Sequence, residues 1–262
     1  MVRNFTGVLY MEAFATKAEN VVVIDEQFYI PQLNRTRRIW LYLPAGYYYS
    51  VKRYPVIYMH DGQNLFDQAT AFGDEWAVDK TLNSMLAETI IVGIDSSEHR
   101  ITEYNFYDHP EHGQGQGIQY INFIAETLKP FIDANYRTKP ERGSTVIAGS
   151  SMGGLISLYG AIHFPQVFGC AGVFSPSLWL TTEHINDLLD TAAQNKLQQR
   201  IYFYGGAKEG SNMLAYIRQA ATGLRSFSNY TVHITVDLEG EHSEYHWRKV
   251  FPEFYRWLAV GW

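Results

Sequence analysis

The chain has 262 residues, 46% of them hydrophobic and 18% charged, with a net charge of −6 at pH 7. That composition fits a globular protein with a substantial core, and the acidic balance, with no long basic run, excludes a surface built for nucleic acid or an anionic membrane. The single cysteine, Cys170, lies in an apolar stretch and offers neither a disulfide partner nor a metal-ligand pair. No apolar core follows basic residues at the N-terminus and no run reaches membrane-spanning length. The sequence therefore predicts no leader, no membrane association and a cytoplasmic location.

In chain order, strands are predicted at Val21–Ile30, Arg38–Leu43, Pro55–Met59, Thr89–Ile94, Ser144–Ala148, Cys170–Phe174, Arg200–Tyr204 and Thr231–Leu238. Apolar residues three or four apart predict helices at Glu75–Ala87, Ile118–Asn135, Met152–His163, Glu183–Gln199, Ser211–Phe227 and about Glu244–Ala259. Alternating strands and helices imply right-handed crossovers, hence an α/β fold with a mostly parallel central sheet covered by helices on both faces. The first two strands have no helix between them, which predicts antiparallel strands at the N-terminal edge. Arg35, Arg37 and Arg38 lead into the second strand and are expected to be a solvated strand end. No repeat, low-complexity tract or linker divides the chain, so residues 1–262 are expected to form a single domain.

Chemistry concentrates in Ser144–Gly160, STVIAGSSMGGLISLYG. A short buried strand turns straight into a helix through small residues, the setting of a G-x-S-x-G nucleophile elbow. Centred on Ser151, the flanking positions are Gly149 and Gly153. Centred on Ser150, they would be Ala148 and Met152, and the Met side chain would crowd the turn. Ser151 is the candidate nucleophile.

Reacting groups in open α/β sheets gather at the carboxyl ends of the strands. After the seventh strand the turn Gly205–Gly210 presents Glu209, and after the eighth Glu239–His242 presents His242. Ser151, Glu209 and His242 thus follow three strands in the chain order nucleophile, acid, base that α/β-hydrolases use. His233 lies inside a strand and His246 one helical turn beyond His242, so structural roles suit both better. Glu239 and Glu241 adjoin His242 too closely to orient its far nitrogen, and Asp237 is within the strand. The oxyanion needs two backbone donors. Met152 N–H, at the start of a helix, is one, and the loop His60–Asn64 after the third strand supplies the other. His60 itself is expected to make structural hydrogen bonds. The segment His109–Gly117, with two histidines and a glycine run, lacks metal-site and dinucleotide spacing and is expected to be a mobile loop beside the active-site mouth.

The stretches YMHDGQNLFD, WAVDKTL, IIVGIDSSEHRITEYNF, IAGSSMGGLISLYGAIHFPQVFG, SPSLW, YFYGGAKEG and GEHSEYHWRKVFPEF together resemble the esterase D and enterochelin-esterase-like branch of α/β-hydrolases, itself similar to feruloyl and acetyl xylan esterases and mycolyltransferases. The resemblance runs from about Gln27 to Leu258. It implies an α/β-hydrolase fold, Ser151, Glu209 and His242 as the triad, Gln63 and Met152 as oxyanion-hole amides, and Tyr104, Trp179 and Trp247 as substrate-facing residues. The function expected is a serine carboxylesterase acting on small soluble esters, with no cofactor and no metal. An acyltransferase using an alcohol acceptor and a non-catalytic binding protein on the same scaffold are the alternatives. The acyl and alcohol groups of the ester stay open, as does the oligomeric state.

Overall fold

A computed structural model of the chain describes residues 15–210 and 212–262. Ser211, where a helix is predicted to start, and residues 1–14, over which no leader is predicted, lie outside the described residues. Eight strands form one sheet: β1 (Val21–Ile30), β2 (Arg35–Tyr42), β3 (Val56–His60), β4 (Ile90–Ile94), β5 (Thr145–Ser150), β6 (Cys170–Phe174), β7 (Gln199–Gly206) and β8 (Tyr230–Asp237). Their order is β1-β2-β4-β3-β5-β6-β7-β8, with β1–β2 and β2–β4 antiparallel and every other pairing parallel. This is the α/β-hydrolase architecture that the sequence predicts, with its antiparallel edge at the N-terminal strands.

The helices are α1 (Val78–Ser84), α2 (Arg100–Glu103), α3 (Gly117–Phe123), α4 (Lys129–Asn135), α5 (Met152–His163), α6 (Ile185–Gln194), α7 (Met213–Arg225) and α8 (Glu244–Ala259). Side chains on the central strands alternate between two apolar layers, as period-2 geometry requires. Ile147 of β5 joins the layer beneath α3 to α7, while Val146 and Ala148 join the layer beneath α1 and α8. Burial on both faces is why these strands read as unbroken apolar runs. No helix among the described residues is long and apolar enough to cross a membrane.

Three elements differ from expectation for local reasons. α1 is shorter because Ala77 and Leu86 take left-handed conformations, with φ of 50° and 51°. The long helix predicted over 118–135 runs without a gap from Gly117 to Asn135, but a π-helical turn at Ile124–Leu128 separates its α-helical parts α3 and α4. Pro130, just beyond it, has no N–H to continue the ladder. β7 runs two residues past Tyr204, because Gly205 and Gly206 pair with Val236 and Asp237 of β8. The arginine cluster is also not a solvated strand end. Arg35 Nη1 donates to Glu103 Oε1 at 2.6 Å, and Arg37, 6% exposed, donates to the other oxygen of the same fully buried carboxylate. β4 lies on one side of β3 and β5 on the other, so the sheet reverses winding there. A crevice opens at the carboxyl ends of β3 and β5.

Candidate active site

β5 passes into α5 through Ser151, whose φ of 57° and ψ of −120° no ordinary turn residue adopts without strain. The turn holds because its backbone is tied down. Ser151 N–H donates to Phe174 O at 2.9 Å, and Ser151 O accepts from Ser177 N at 3.0 Å and Leu155 N at 3.0 Å. The glycines permit the approach: a Cβ on Gly149 would lie 2.9 Å from the Gly153 carbonyl carbon. Ser150, the last residue of β5, does not occupy the strained position. The Ser151 hydroxyl bonds Ser177 Oγ at 3.2 Å, and among the described residues it makes no hydrogen bond to His242.

Glu209 and His242 meet. His242 Nδ1 lies 2.7 Å from Glu209 Oε2, and the carboxylate has no exposed surface, whereas the imidazole is 40% exposed. Glu209 Oε1 accepts from Gly206 N at 2.6 Å and Ser175 Oγ at 2.7 Å, so the buried charge is fully bonded. The extension of β7 through Gly206 aims that amide at the carboxylate. Of the rivals, His233 Nε2 bonds Thr235 Oγ1 at 3.2 Å and His246 Nδ1 bonds Ser243 Oγ at 3.1 Å.

A cleft of about 300 Å³ is lined by Ser151, His242, Trp247, Asp61, Arg100 and Glu244, among others. Asp61 directly follows β3 in a left-handed conformation, φ 56°, and pairs with Arg100 through two bonds of 2.7 Å each. Beneath them His60 Nδ1 bonds Tyr120 Oη at 2.9 Å, and complete burial pushes its pKa down to about 3, so the ring is neutral. Burial in the cleft raises the Glu244 carboxyl above the ordinary range, and Asn64 Nδ2 donates to it at 3.4 Å. Sequence reasoning missed Asp61, Arg100 and Glu244. The signal was present, since Asp61 directly follows a strand and Glu244 opens the helix just after His242.

The remaining predicted residues divide. Met152 opens α5 and Gln63 sits in the loop after β3. Neither backbone amide has an acceptor among the described residues. The Gln63 side chain anchors that loop, donating from Nε2 to Ser96 Oγ at 2.9 Å and accepting Ser96 N–H at 3.0 Å. Trp247 lines the cleft, its ring edge-on to His242 with centroids 5.0 Å apart. Tyr104 does not: it has 0% exposure and lies behind the cleft, with its ring against His60 and its hydroxyl 3.4 Å from Asp61 N. Trp179 is 55% exposed and lies outside the cleft lining. The His109–Gly117 segment does not line the cleft either. It closes on itself through His109 N–H to Gly113 O at 2.9 Å, and no cluster of three metal-ligating side chains occurs among the described residues.

Residues 30–258 match the family model described as "Putative esterase". The chain is 27% identical over 241 residues to the Bacillus subtilis (strain 168) protein called "Uncharacterized protein YbbA", covering 85% of this chain and 92% of that one. It is 27% identical over 248 residues to an "Iron(III) enterobactin esterase" of Dickeya dadantii (strain 3937), covering 88% of this chain and 53% of that protein. Among solved structures, the BES protein from Bacillus cereus superposes with a TM-score of 0.74 at 18% identity, covering 92% of this chain and 95% of that one. At that identity the superposition speaks to the fold.

Proposed function

The chain belongs to the "Putative esterase" family, hydrolases acting on carboxylic esters, and we propose that it is a serine carboxylesterase whose nucleophile is Ser151. The observation that carries this reading is Ser151 on a strained elbow in the same cleft as an imidazole paired with a buried carboxylate. Glu209 holds His242 by Nδ1, which leaves Nε2 as the nitrogen for the substrate side. As the ester carbonyl arrives, Ser151 Oγ turns from Ser177 toward the imidazole and gives up its proton to Nε2 while bonding the carbonyl carbon. The oxyanion is received by the free amides of Met152 and Gln63, donors each typically worth roughly 3–4 kcal/mol. The imidazolium, steadied by Glu209, returns the proton to the leaving alcohol, and water repeats the attack on the acyl-enzyme.

The cleft, about 300 Å³, sets charged and hydroxyl side chains beside the Phe72 and Trp247 rings, which suits short acyl groups or compact aromatic and sugar esters. The Dickeya dadantii relative's name places iron(III) enterobactin among the substrates to include. The test is a panel of soluble esters varied separately on the acyl and alcohol sides, with free acid and alcohol measured as products. Turnover that survives Ser151→Ala, or products found only as transfer to an added alcohol, would contradict hydrolysis at this serine. The rate should show no jump as a substrate passes its solubility limit, since the segment 95–117 offers no amphipathic helix for a lipid surface.

A further inference from the structure

The turn Ser175-Pro176-Ser177 leaves the end of β6 and touches both ends of the proposed triad. Ser177 bonds the nucleophile, by N–H to Ser151 O at 3.0 Å and by Oγ to Ser151 Oγ at 3.2 Å. Ser175 bonds the acid: its hydroxyl donates to Glu209 Oε1 at 2.7 Å. The same hydroxyl accepts Trp247 Nε1–H at 2.9 Å. Ser175 N–H is fixed to Tyr204 O at 2.8 Å. The residue is fully buried and holds a φ of 43°, a region that favours glycine. A serine at a position that favours glycine carries a backbone cost, and the hydroxyl is the group whose bonds offset it.

A hydroxyl has one proton and a free rotor. Trp247 occupies the accepting side of Ser175 Oγ, so the proton is committed to Glu209. With Gly206 N–H on the same oxygen, Oε1 is doubly pinned and Oε2 is left as the oxygen facing His242 Nδ1. Trp247 also walls the imidazole with its ring edge, 86° to the His242 plane. One indole therefore orients the base by packing and the acid through Ser175.

We propose that Ser175 is a positioning residue of the esterase: its hydroxyl, oriented by the Trp247 indole N–H, fixes the Glu209 carboxylate against His242. This rests on Ser151, Glu209 and His242 being the triad. Fewer donors on the carboxylate leave more charge to hold the imidazolium proton, so loss of the hydroxyl should raise the pH at which turnover switches on. Loss of orientation should lower kcat without weakening substrate binding.

The test uses the full chain with p-nitrophenyl acetate, measuring kcat and KM over roughly pH 5 to 9. The variants are Ser175→Gly, which suits the backbone, Ser175→Ala, Trp247→Phe and the double variant Ser175→Gly/Trp247→Phe. Each single variant should lose about tenfold or more in kcat with KM little changed, and move the inflection upward. The double variant should lose about as much as the more impaired single variant and clearly less than the product of the two losses, because the Ser175 hydroxyl and the Trp247 N–H act on Glu209 through one bond chain. Additive losses with an unmoved inflection would reduce Ser175 to packing and overturn the proposal. Glu209→Gln, run alongside, separates the two levels. If it leaves turnover intact, the triad reading falls and the proposal with it. If it removes turnover while Ser175→Gly and Trp247→Phe behave as wild type, only the proposal falls.

Discussion

At the scale of single residues, two serines in sequence differ by one backbone conformation. Ser150 ends β5 with an extended partner in β6, pairing with Phe174, whereas Ser151 carries the positive φ that lifts its side chain into the turn. Ser151→Ala should abolish ester hydrolysis in a folded protein. Ser150→Ala should keep most of it, and equal kcat losses in the two, each with native circular dichroism, would contradict the assignment. Glu209→Gln keeps the shape and deletes the charge beside Nδ1. It should lower kcat by about a thousandfold or more, and a loss below about tenfold would remove Glu209 from the triad.

At the scale of elements, the elbow depends on β5 and α5 approaching through glycine. Gly149→Ala would push a methyl to 2.9 Å from Gly153 backbone and 3.0 Å from the His60 ring. Such overpacking should cost about 2 kcal/mol in urea unfolding and lower turnover, because the nucleophile shifts with the strand. Gly143→Ala, with nothing within 4 Å of the new methyl, is the control and should change stability by less than about 0.5 kcal/mol. These elements were legible in the sequence: apolar runs marked the central strands, β-branched and aromatic residues the outer ones, and the small-residue turn marked the elbow. Glu209 and His242 were legible because each follows a strand. What the sequence did not disclose are contacts between segments far apart in the chain. Arg35 and Arg37 looked like a surface cluster because Glu103, their buried partner, lies on α2. Arg100 gave no sign of reaching Asp61, nor Ser175 of bridging Glu209 and Trp247. The resemblance implies a substrate-facing Tyr104, yet the end of α2 turns it inward under the loop. Gly205 and Gly206 read as a turn, but their neighbours on β8 keep them in the sheet.

At the scale of the whole molecule, the site lies where the sheet reverses direction, and its floor carries a buried imidazole that must stay neutral. The unfolded chain protonates His60 near its ordinary pKa of 6.5, while the folded protein resists until about pH 3. The unfolded state therefore binds the extra proton, and this contribution to stability, present above pH 6.5, is lost as pH falls toward 3. Its size is on the order of 5 kcal/mol. Asp95 runs the other way: burial raises its pKa to about 6, so it favours the fold below its ordinary range and loses that contribution as pH rises through 6. Comparing wild type with His60→Asn isolates the first effect. The variant, though weaker at neutral pH, should show a flatter loss of urea-unfolding free energy between about pH 6.5 and 4. Parallel curves would mean that His60 is not held neutral.

Covalent labelling reaches the central claim most directly, because it needs no knowledge of the natural ester. The full chain is treated with a fluorophosphonate and the adduct located by peptide mass spectrometry. One adduct per chain should appear, on Ser151, formed at a rate that falls steeply in His242→Ala and is absent in Ser151→Ala. An adduct on any other residue, or labelling of Ser151 as fast without His242 as with it, would contradict the assignment of a histidine-activated Ser151.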